Sequence, residues 1–325
     1  YLTELLYCLQ AIGAEVCLLT FNADCKEFNI TYSNKRTEMN FPCFPNGGFW
    51  EHPAVVNRFL QLHITDSEDN VFFFNYSLSD KLMLALRQTF PLSKQIYVIH
   101  DFSWTGVLLG NIRKLKQIMA DRKETENDKQ REFVINTWLR EQQMMNIADK
   151  VVCLSQGTYQ ILKEICLIDE QKLALIPNGL RRHRGITLGS NEDKERWREQ
   201  LLIAKGKKIA LFVGRTSKEK GFNALLDAIR IAIKSCPDLQ LVVAGNPLPS
   251  CFSPEIASVI TYTGHIGKQE LIRWYQISDV GIISSYSEQC SYVGIEMMMY
   301  GLPIVASDGP GVRDMFHEGE NAAIA

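Results

Sequence analysis

The 325-residue sequence lacks the patterns that mark disulfide-linked, metal-binding and membrane-spanning proteins. Its nine cysteines are scattered and include no Cys-x-x-Cys pair, which predicts reduced core thiols, not a disulfide framework or a zinc site. No apolar run approaches the ~18–20 residues that cross a bilayer. No Asp-x-Asp motif and no cluster of histidines and carboxylates has the spacing of metal ligands. We therefore expect neither a metal ion nor another cofactor.

The chain also has little net charge, −2 at pH 7, so bulk charge does not predict a nucleic-acid partner. No Gly-x-Gly-x-x-Gly follows a predicted strand, which argues against a dinucleotide-dependent oxidoreductase. The sequence begins without Met inside an amphipathic helix and ends in a predicted strand, from which we expect a fragment of a longer chain. An apolar content of 46% is enough for one large or two medium-sized cores.

Short apolar segments alternate with helical segments along the whole sequence. Continuous apolar strands separated by helices are typical of parallel sheets that are covered on both faces. The predicted strands cover residues 15–21, 28–32, 71–74, 95–100, 150–154, 173–176, 208–213, 239–244, 259–262, 280–283 and 304–306. Two such series predict two Rossmann-like, doubly wound α/β domains, residues 1–184 and 185–325.

Two glutamates, Glu288 and Glu296, are separated by seven residues and follow the apolar strand at 280–283. The pattern predicts that Glu288 lies in a loop at the carboxyl end of this strand and Glu296 in the next helix. The amides from Cys290 to Val293 would be the unpaired N–H groups of that helix, which attract phosphate. Carboxylates on both sides of an anion site suit a ligand that also carries hydroxyls, such as a sugar or a ribose.

A turn with two cations follows the predicted strand at 208–213. Gly214 permits a sharp turn at the edge of the sheet, Arg215 and Lys220 come next, and Gly221 opens the following helix. Ligands of open α/β sheets bind outside the carboxyl ends of the strands. Arg offers a planar fork and Lys a point charge, which together suit a diphosphate. Solvated surface charges are the simpler interpretation of this turn alone, but its pairing with the glutamates favours an anion site.

These motifs together resemble the retaining glycosyltransferases of family 4, which have the GT-B fold. The Gly-Arg and Lys-Gly pairs of residues 214–221 and the two glutamates carry the resemblance. Ile176-Pro-Asn-Gly179 and Gly301-Leu-Pro-Ile-Val-Ala-Ser307 support it. It covers nearly the whole chain and is strongest from Pro177 onward. It implies two domains facing across a cleft, with the acceptor site in the first domain and the donor site in the second.

The resemblance implies transfer of a sugar from a UDP- or GDP-sugar with retention at the anomeric carbon. Arg215 and Lys220 would bind the donor diphosphate and stabilise the leaving nucleotide, where charge develops in the reaction. Glu288 would face the donor sugar, and Glu296 would hold the ribose hydroxyls. The nucleotide would leave from the face on which the acceptor enters, with a donor phosphate oxygen as the base and without a metal.

Further contacts are implied residue by residue. The backbone of Ser291, Tyr292 and Val293 would touch phosphate and sugar, together with Gly214 in the first turn. The segment Gly264-His-Ile266 would hold the base through main-chain contacts. His100 ends the predicted strand at 95–100, where the family often places a histidine that bonds the sugar or the acceptor. A polar residue satisfied at a strand end is the alternative interpretation of His100.

The expected acceptor is a glycan, a lipid-linked molecule or another glycoconjugate, and the expected setting is cell-surface polysaccharide synthesis in the cytoplasm. The basic cluster at 181–184 and the amphipathic stretch at 106–119 leave open a peripheral contact with the inner membrane face. In both, ordinary packing or surface charge is the favoured alternative.

The sequence departs from the family at both ends, because the first strand with its glycine-rich loop and the last helices are missing. Cys290 and Ser291 stand where the family often has an aromatic residue and a glycine. Two other functions stay open: a catalytically silent subunit that binds nucleotide sugar, and a GT-B nucleotide-sugar epimerase.

Overall fold

The computed structural model describes residues 2–33, 36–43, 52–75, 79–120, 128–181, 188–246 and 252–325. The chain folds into two compact units. The first unit comprises Tyr1–Phe102, Glu132–Cys153 and Tyr159–Ile176, and the second comprises Ser103–Arg131, Leu154–Thr158 and Pro177–Ala325. The predicted domain boundary between residues 184 and 185 and most of the basic cluster at 181–184 lie outside the described residues.

The first unit contains two sheets. One has the order β1 (Val16–Ala23), β3 (Arg36–Pro42), β2 (Asn29–Ser33), in which β1 runs parallel and β2 antiparallel to β3. The other is parallel, in the order β4 (Val71–Phe74), β5 (Lys94–Ile99), β6 (Lys150–Cys153), β7 (Leu173–Leu175). The expectation of purely parallel pairing is therefore wrong for β2. Strand β3 was not predicted, because polar residues alternate with buried Met39 and Phe41 and leave no continuous apolar run.

The helices alternate with these strands for most of the chain. They are α1 (Leu2–Ala11), α2 (Pro53–His63), α3 (Asp80–Thr89), α4 (Ser103–Leu108), α5 (Ile112–Ala120), α6 (Lys129–Ile147), α7 (Gln156–Glu164), α8 (Asn191–Gln200), α9 (Phe222–Ser235), α10 (Pro254–Ala257), α11 (Lys268–Ile277), α12 (Tyr292–Met299) and α13 (Val312–Met315), with a 3₁₀ turn at Glu170–Lys172. The amphipathic stretch at 106–119 is not one helix, because Leu109 and Gly110 adopt positive φ values of 51° and 70° between α4 and α5. Within it, Leu115 and Ile118 are buried.

The second unit is built on one parallel sheet of six strands. Its strands are β8 (Lys208–Val213), β9 (Leu239–Ala244), β10 (Ile260–Gly264), β11 (Val280–Ile283), β12 (Ile304–Ala306) and β13 (Ala323–Ile324), in the spatial order β10-β9-β8-β11-β12-β13. This is the doubly wound order 3-2-1-4-5-6. The direction of winding reverses between the neighbours β8 and β11, and the carboxyl edge at such a reversal is where doubly wound sheets bind ligands.

Both faces of this sheet are covered by apolar side chains, as a doubly wound sheet requires. In β8, Ile209 and Leu211 belong to one core cluster, which includes Trp274. The alternate residues of the same strand, Ala210 and Phe212, belong to a second cluster on the other face. Successive side chains of a strand point to opposite faces of the sheet, and here both faces are buried. This explains why the sequence of β8 is an uninterrupted apolar run.

The described cysteines are unpaired thiols, as predicted. The expectation that they lie in the core holds for Cys153 and Cys166, whereas Cys8, Cys17 and Cys43 are exposed. Among the described helices, none combines the length and the apolar character needed to cross a membrane.

Candidate functional site

Glu288 lies in the loop between β11 and α12, as predicted. Its Oε1 accepts hydrogen bonds from Lys220 Nζ at 2.5 Å and from Ser285 Oγ at 2.6 Å. Lys220 comes from the turn between β8 and α9, so this ion pair joins the two loops that flank the reversal of the sheet. The side chains of Lys220 and Glu288 are 29% and 12% exposed. The second carboxylate oxygen, Oε2, has no partner among the described residues and is available to a ligand.

The two loops approach so closely that one position must be glycine. Gly221 has a φ of 65°, and a Cβ there would stand 1.8 Å from the carbonyl oxygen of Ser284. Ser284 Oγ donates to the Lys220 carbonyl at 2.8 Å, and the Tyr286 amide donates to the Glu219 carbonyl at 3.0 Å. These backbone contacts fix the distance between the loops and thereby bring Lys220 to Glu288.

The turn after β12 holds the Glu288 loop from another side. The Glu288 amide donates to the Pro310 carbonyl at 3.0 Å. A Cβ on Gly311, whose φ is 74°, would stand 1.7 Å from the Glu288 carbonyl oxygen. One neighbouring turn therefore hydrogen-bonds the Glu288 amide and packs closely against its carbonyl group.

A buried polar cluster fixes the next residue, Gln289. Its Oε1 accepts hydrogen bonds from Thr158 Oγ1 and, at 3.3 Å, from Ser155 Oγ. Ser155 and Thr158 are each 3% exposed, and Gln289 is 8% exposed. No pattern in the sequence indicates this cluster, because Gln289 stands 134 residues from Ser155 and no local signal joins them.

Arg215, the second predicted cation, faces solvent. Its side chain is 69% exposed, and Nη2 lies 3.4 Å from Glu219 Oε1. Burial opposes the ionisation of Glu219, but its own backbone N–H and the charge of Arg215 lower its pKa on balance. Gly214, with a φ of 141°, ends the strand before Arg215. A Cβ on Gly245 would stand 1.8 Å from the Gly214 carbonyl oxygen, so β9 ends against this turn.

The N-terminus of α12 is only partly open to a ligand. Ser291 caps the helix, since its Oγ accepts from the Gly294 amide at 3.2 Å. The prediction of an unpaired amide is wrong for Ser291, because its N–H donates to Met315 Sδ at 3.0 Å. The Val293 amide makes no hydrogen bond to the described residues and remains available.

Asn178 connects the Pro177-Asn-Gly179 segment to this helix end. Its Nδ2 donates to the Cys290 carbonyl at 2.8 Å, and its Oδ1 accepts from the Tyr292 hydroxyl at 3.3 Å. The segment therefore supports the start of α12, a role that its position in the sequence did not reveal.

Glu296 lies inside α12, as predicted. Its Oε2 accepts a hydrogen bond from the Tyr275 hydroxyl at 2.7 Å. Tyr275 is 2% exposed and stacks on Tyr300, with ring centroids 5.5 Å apart. Burial, then the charge of Glu296, raises the pKa of Tyr275 and keeps its hydroxyl protonated as a donor. The other oxygen, Oε1, has no partner among the described residues.

Glu296 and Tyr275 line a pocket in the second unit. Arg181, Lys268 and the apolar side chain of Ile272 are also part of its wall. Ile266, the predicted base contact, packs against the core cluster that contains Tyr275. The sequence does not indicate this role of Tyr275, because nothing in α11 distinguishes a tyrosine that bonds a carboxylate from a core aromatic residue.

His100 belongs to the first unit and follows β5 directly. Its Nε2 lies 3.2 Å from Asn75 Oδ1. Burial is the largest cause that lowers the pKa of His100 below its usual 6.5, so the ring is neutral at pH 7. A neutral imidazole can both donate and accept a hydrogen bond.

The sheet order defines an α/β protein, and its likeness to solved glycosyltransferase structures shows the GT-B fold. Sucrose-phosphate synthase from Thermosynechococcus elongatus has the same fold, with a TM-score of 0.72 and 20% identity over 100% of this chain and 79% of its own. HepE from Anabaena, solved in complex with UDP and glucose, has a TM-score of 0.60 and 18% identity over 89% of this chain and 72% of its own.

Residues 193–325 match the family model described as glycosyl transferases group 1. Spore coat protein SA of Bacillus subtilis is 33% identical over 145 residues, 40% of this chain and 38% of that protein. D-inositol 3-phosphate glycosyltransferase of Corynebacterium aurimucosum is 25% identical over 268 residues, 78% of this chain and 59% of that protein. The chain therefore spans less than two thirds of the length of these relatives. The matched segment contains Lys220, Glu288 and Glu296.

Proposed function

We propose that the protein transfers a sugar from a nucleotide-sugar donor to an acceptor hydroxyl, with retention at the anomeric carbon. The observation that carries this proposal is the contact between Lys220 and Glu288 at the reversal of a doubly wound sheet. The ammonium group of Lys220 contacts one oxygen of the Glu288 carboxylate, at the edge where such sheets bind ligands. The match of this segment to the group 1 glycosyl transferases supports the same conclusion.

The two cations are assigned to the donor diphosphate. The Arg215 side chain is mostly exposed and lies 3.4 Å from the carboxylate of Glu219, so its guanidinium can turn to the phosphates. Lys220 exchanges part of its contact with Glu288 for a phosphate oxygen as the donor enters. Gly214 and the backbone of Ser291, Tyr292 and Val293 complete the phosphate and sugar contacts, with the Val293 amide as the open donor.

Glu288 is assigned to the donor sugar and Glu296 to the ribose. Each presents one carboxylate oxygen that has no partner among the described residues, and each can accept from a hydroxyl there. The segment from Gly264 to Ile266 faces the base through its main chain. His100, neutral at pH 7, is assigned to a hydrogen bond with the sugar or the acceptor.

In the transfer step the bond between the anomeric carbon and the diphosphate oxygen breaks. The acceptor oxygen bonds the anomeric carbon on the same face, and its proton passes to the departing phosphate. Arg215 and Lys220 stabilise the negative charge that develops on the diphosphate, and protein cations in this role do not require a metal. Among the described residues, no group of three or more His, Cys, Asp or Glu could hold a metal ion.

The HepE complexes make UDP-glucose the first donor to test, with GDP-sugars as the next choice. The proposed acceptor is a glycan, a lipid-linked molecule or another glycoconjugate, in cell-surface polysaccharide synthesis at the cytoplasmic face of the membrane. The named activity of a relative, on D-inositol 3-phosphate, adds a phosphorylated polyol to the acceptors worth testing.

The test is an assay of nucleotide release and of sugar products with UDP-glucose, then other donors, on the purified protein. Glu288→Gln should lower kcat by about 10²-fold or more, the usual loss when one group that stabilises the transition state is removed. Glu255→Gln, an exposed residue of α10, is the matched control and should keep full activity.

Three results would contradict the proposal. Folded protein that binds no nucleoside diphosphate would exclude the donor site. Binding of a nucleotide sugar without transfer to any acceptor tested would indicate a catalytically silent subunit. An isomerised sugar nucleotide without release of the nucleotide would indicate an epimerase.

A further inference from the structure

Glu296 and Glu288 share a pattern in which one carboxylate oxygen is held by a protein donor and the other is open. For Glu296 the donor is Tyr275, at 2.7 Å from Oε2. Tyr275 comes from α11 and Glu296 from α12, so the bond joins two helices that pack in the same core cluster. A glutamate side chain has three rotatable bonds, and this bond removes much of their freedom before any ligand arrives.

The tyrosine itself cannot easily move. Its ring is 2% exposed, packs in the core cluster of the second unit, and stacks on Tyr300 with an angle of 13° between the planes. The direction of the hydroxyl is therefore set by core packing. The hydroxyl holds Glu296 Oε2 in one place, and Oε1 has no partner among the described residues. Both residues line the same pocket.

We infer that Tyr275 is a positioning residue, which holds one oxygen of Glu296 so that the other accepts from the vicinal hydroxyls of the donor ribose. The inference rests on the proposed function, since it assumes that Glu296 contacts the ribose. It adds that the preference for ribose over deoxyribose is set by a tyrosine that acts through Glu296.

Other parts of the pocket wall fit this assignment. Arg181 and Lys268 also line it, but both engage in other interactions. The hydroxyl of Tyr275 is a neutral donor, so it orients the carboxylate without cancelling its charge. A cation in the same place would compete with the ribose hydroxyls for the carboxylate.

The experiment measures ribose preference by calorimetry. UDP, GDP and ADP are each titrated beside their 2′-deoxy counterparts into the wild-type protein, Tyr275→Phe, Glu296→Gln and Tyr300→Phe. Tyr275→Phe keeps the stacked ring and removes only the hydroxyl. The ratio to compare is the dissociation constant of the 2′-deoxy form divided by that of the ribose form. We expect this ratio to fall by about tenfold in Tyr275→Phe, the size of one lost hydrogen bond to a charged group. Tyr300→Phe leaves the Tyr275–Glu296 bond in place and should keep the wild-type ratio.

A double-mutant comparison tests whether Tyr275 acts through Glu296. In the Glu296→Gln background, Tyr275→Phe should change the ratio by less than twofold, because the carboxylate it positions is already gone. Equal weakening of ribose and deoxyribose forms by Tyr275→Phe would show a merely structural role and overturn the inference. An unchanged ratio in Tyr275→Phe would overturn it as well.

Glu296→Asp gives a second test that leaves the core untouched, in case Tyr275→Phe does not fold. The side chain is shorter by one methylene and cannot reach both Tyr275 and the ribose, so the ratio should again fall. A wild-type ratio in Glu296→Asp would overturn the inference. Failure of the proposed function looks different, since the wild-type protein would then bind none of the six nucleotides. Wild-type binding without any ribose preference would overturn the role of Glu296 and the inference together.

Discussion

Burial sets the charge of His100. The largest cause of its lowered pKa is removal of the ring from water, which disfavours the imidazolium form. The unfolded chain therefore binds a proton at this residue more readily than the folded one. The neutral ring contributes stability that is fully present above the ordinary pKa of 6.5 and is lost as the pH falls below that value.

We predict that the His100 ring titrates below pH 6.5 in the folded protein, as followed by the NMR shifts of its carbon-bound protons. In His100→Gln, the free energy of unfolding should fall less between pH 7 and pH 5.5 than in the wild-type protein. Urea denaturation at both pH values measures this difference. A titration midpoint at or above 6.5 would contradict the prediction.

Turns between strand and helix decide the geometry of the site at the scale of elements. The turn after β8 and the turn after β11 touch through the backbone at Gly221 and Ser284, and a third turn touches Glu288 at Gly311. Positive φ alone would favour glycine at these positions. The distances of 1.8 and 1.7 Å to carbonyl oxygens add a second and larger restriction, because backbone must shift to admit a Cβ.

We predict that Gly221→Ala destabilises the protein by more than about 4 kcal/mol, in the range reserved for severe backbone conflict. The matched control is Gly301→Ala. Gly301 has nearly the same φ, 67° against 65°, but a Cβ there meets nothing within 4 Å.

Gly301→Ala should therefore cost only about 1–2 kcal/mol, the strain of a positive φ for a residue with a side chain. Chemical denaturation of both variants separates the two effects. Equal losses of stability in the two variants would show that the contact between Gly221 and Ser284 is not restrictive.

A weaker effect is expected at the support of α12. Asn178→Ala removes two hydrogen bonds, to the Cys290 carbonyl and from the Tyr292 hydroxyl. We predict a loss of about 1–2 kcal/mol in stability, because a partly buried carbonyl loses its donor. Nucleotide affinity should fall with it, since the start of α12 is proposed to contact phosphate. Calorimetry with UDP checks the second part, and unchanged affinity would argue against that contact.

The whole molecule consists of two compact units, and the proposed donor contacts, apart from His100, lie in the second one. A nucleotide that binds there, at a free concentration of 100 times its dissociation constant, stabilises the folded state by about 2.7 kcal/mol. We predict that UDP slows hydrogen exchange in residues 214–221 and in α12. It should leave the three-stranded sheet of the first unit unchanged.

Exchange followed by mass spectrometry, with Arg215→Ala as the control, measures this effect. The variant should lose the protection of residues 214–221 at the same concentration of UDP. Protection confined to the first unit would contradict the proposed location of the donor.

The fold could be predicted from the sequence where local signals are strong. Every strand of the six-stranded sheet gave an apolar run or, at the end of the chain, a recognisable strand pattern, because strands buried on both faces carry few polar residues. Strand β3 gave no such run, since Arg36, Glu38 and Asn40 alternate with its buried residues. The antiparallel pairing of β2 depends on a hairpin whose partner strand was therefore not recognised.

The sequence by itself determined the types of side chain at the site, Glu288, Glu296, Lys220 and Arg215, and placed them at the ends of strands and the start of a helix. Only the tertiary structure decided their partners. Tyr275 and Glu296 come from different helices, and Lys220 and Glu288 come from different turns. Their contacts, like those of the cluster at Gln289, exist because packing brings separate elements within 3.5 Å. Periodicity and motif spacing report the neighbours along a chain, whereas a carboxylate is oriented by the donors that surround it in space.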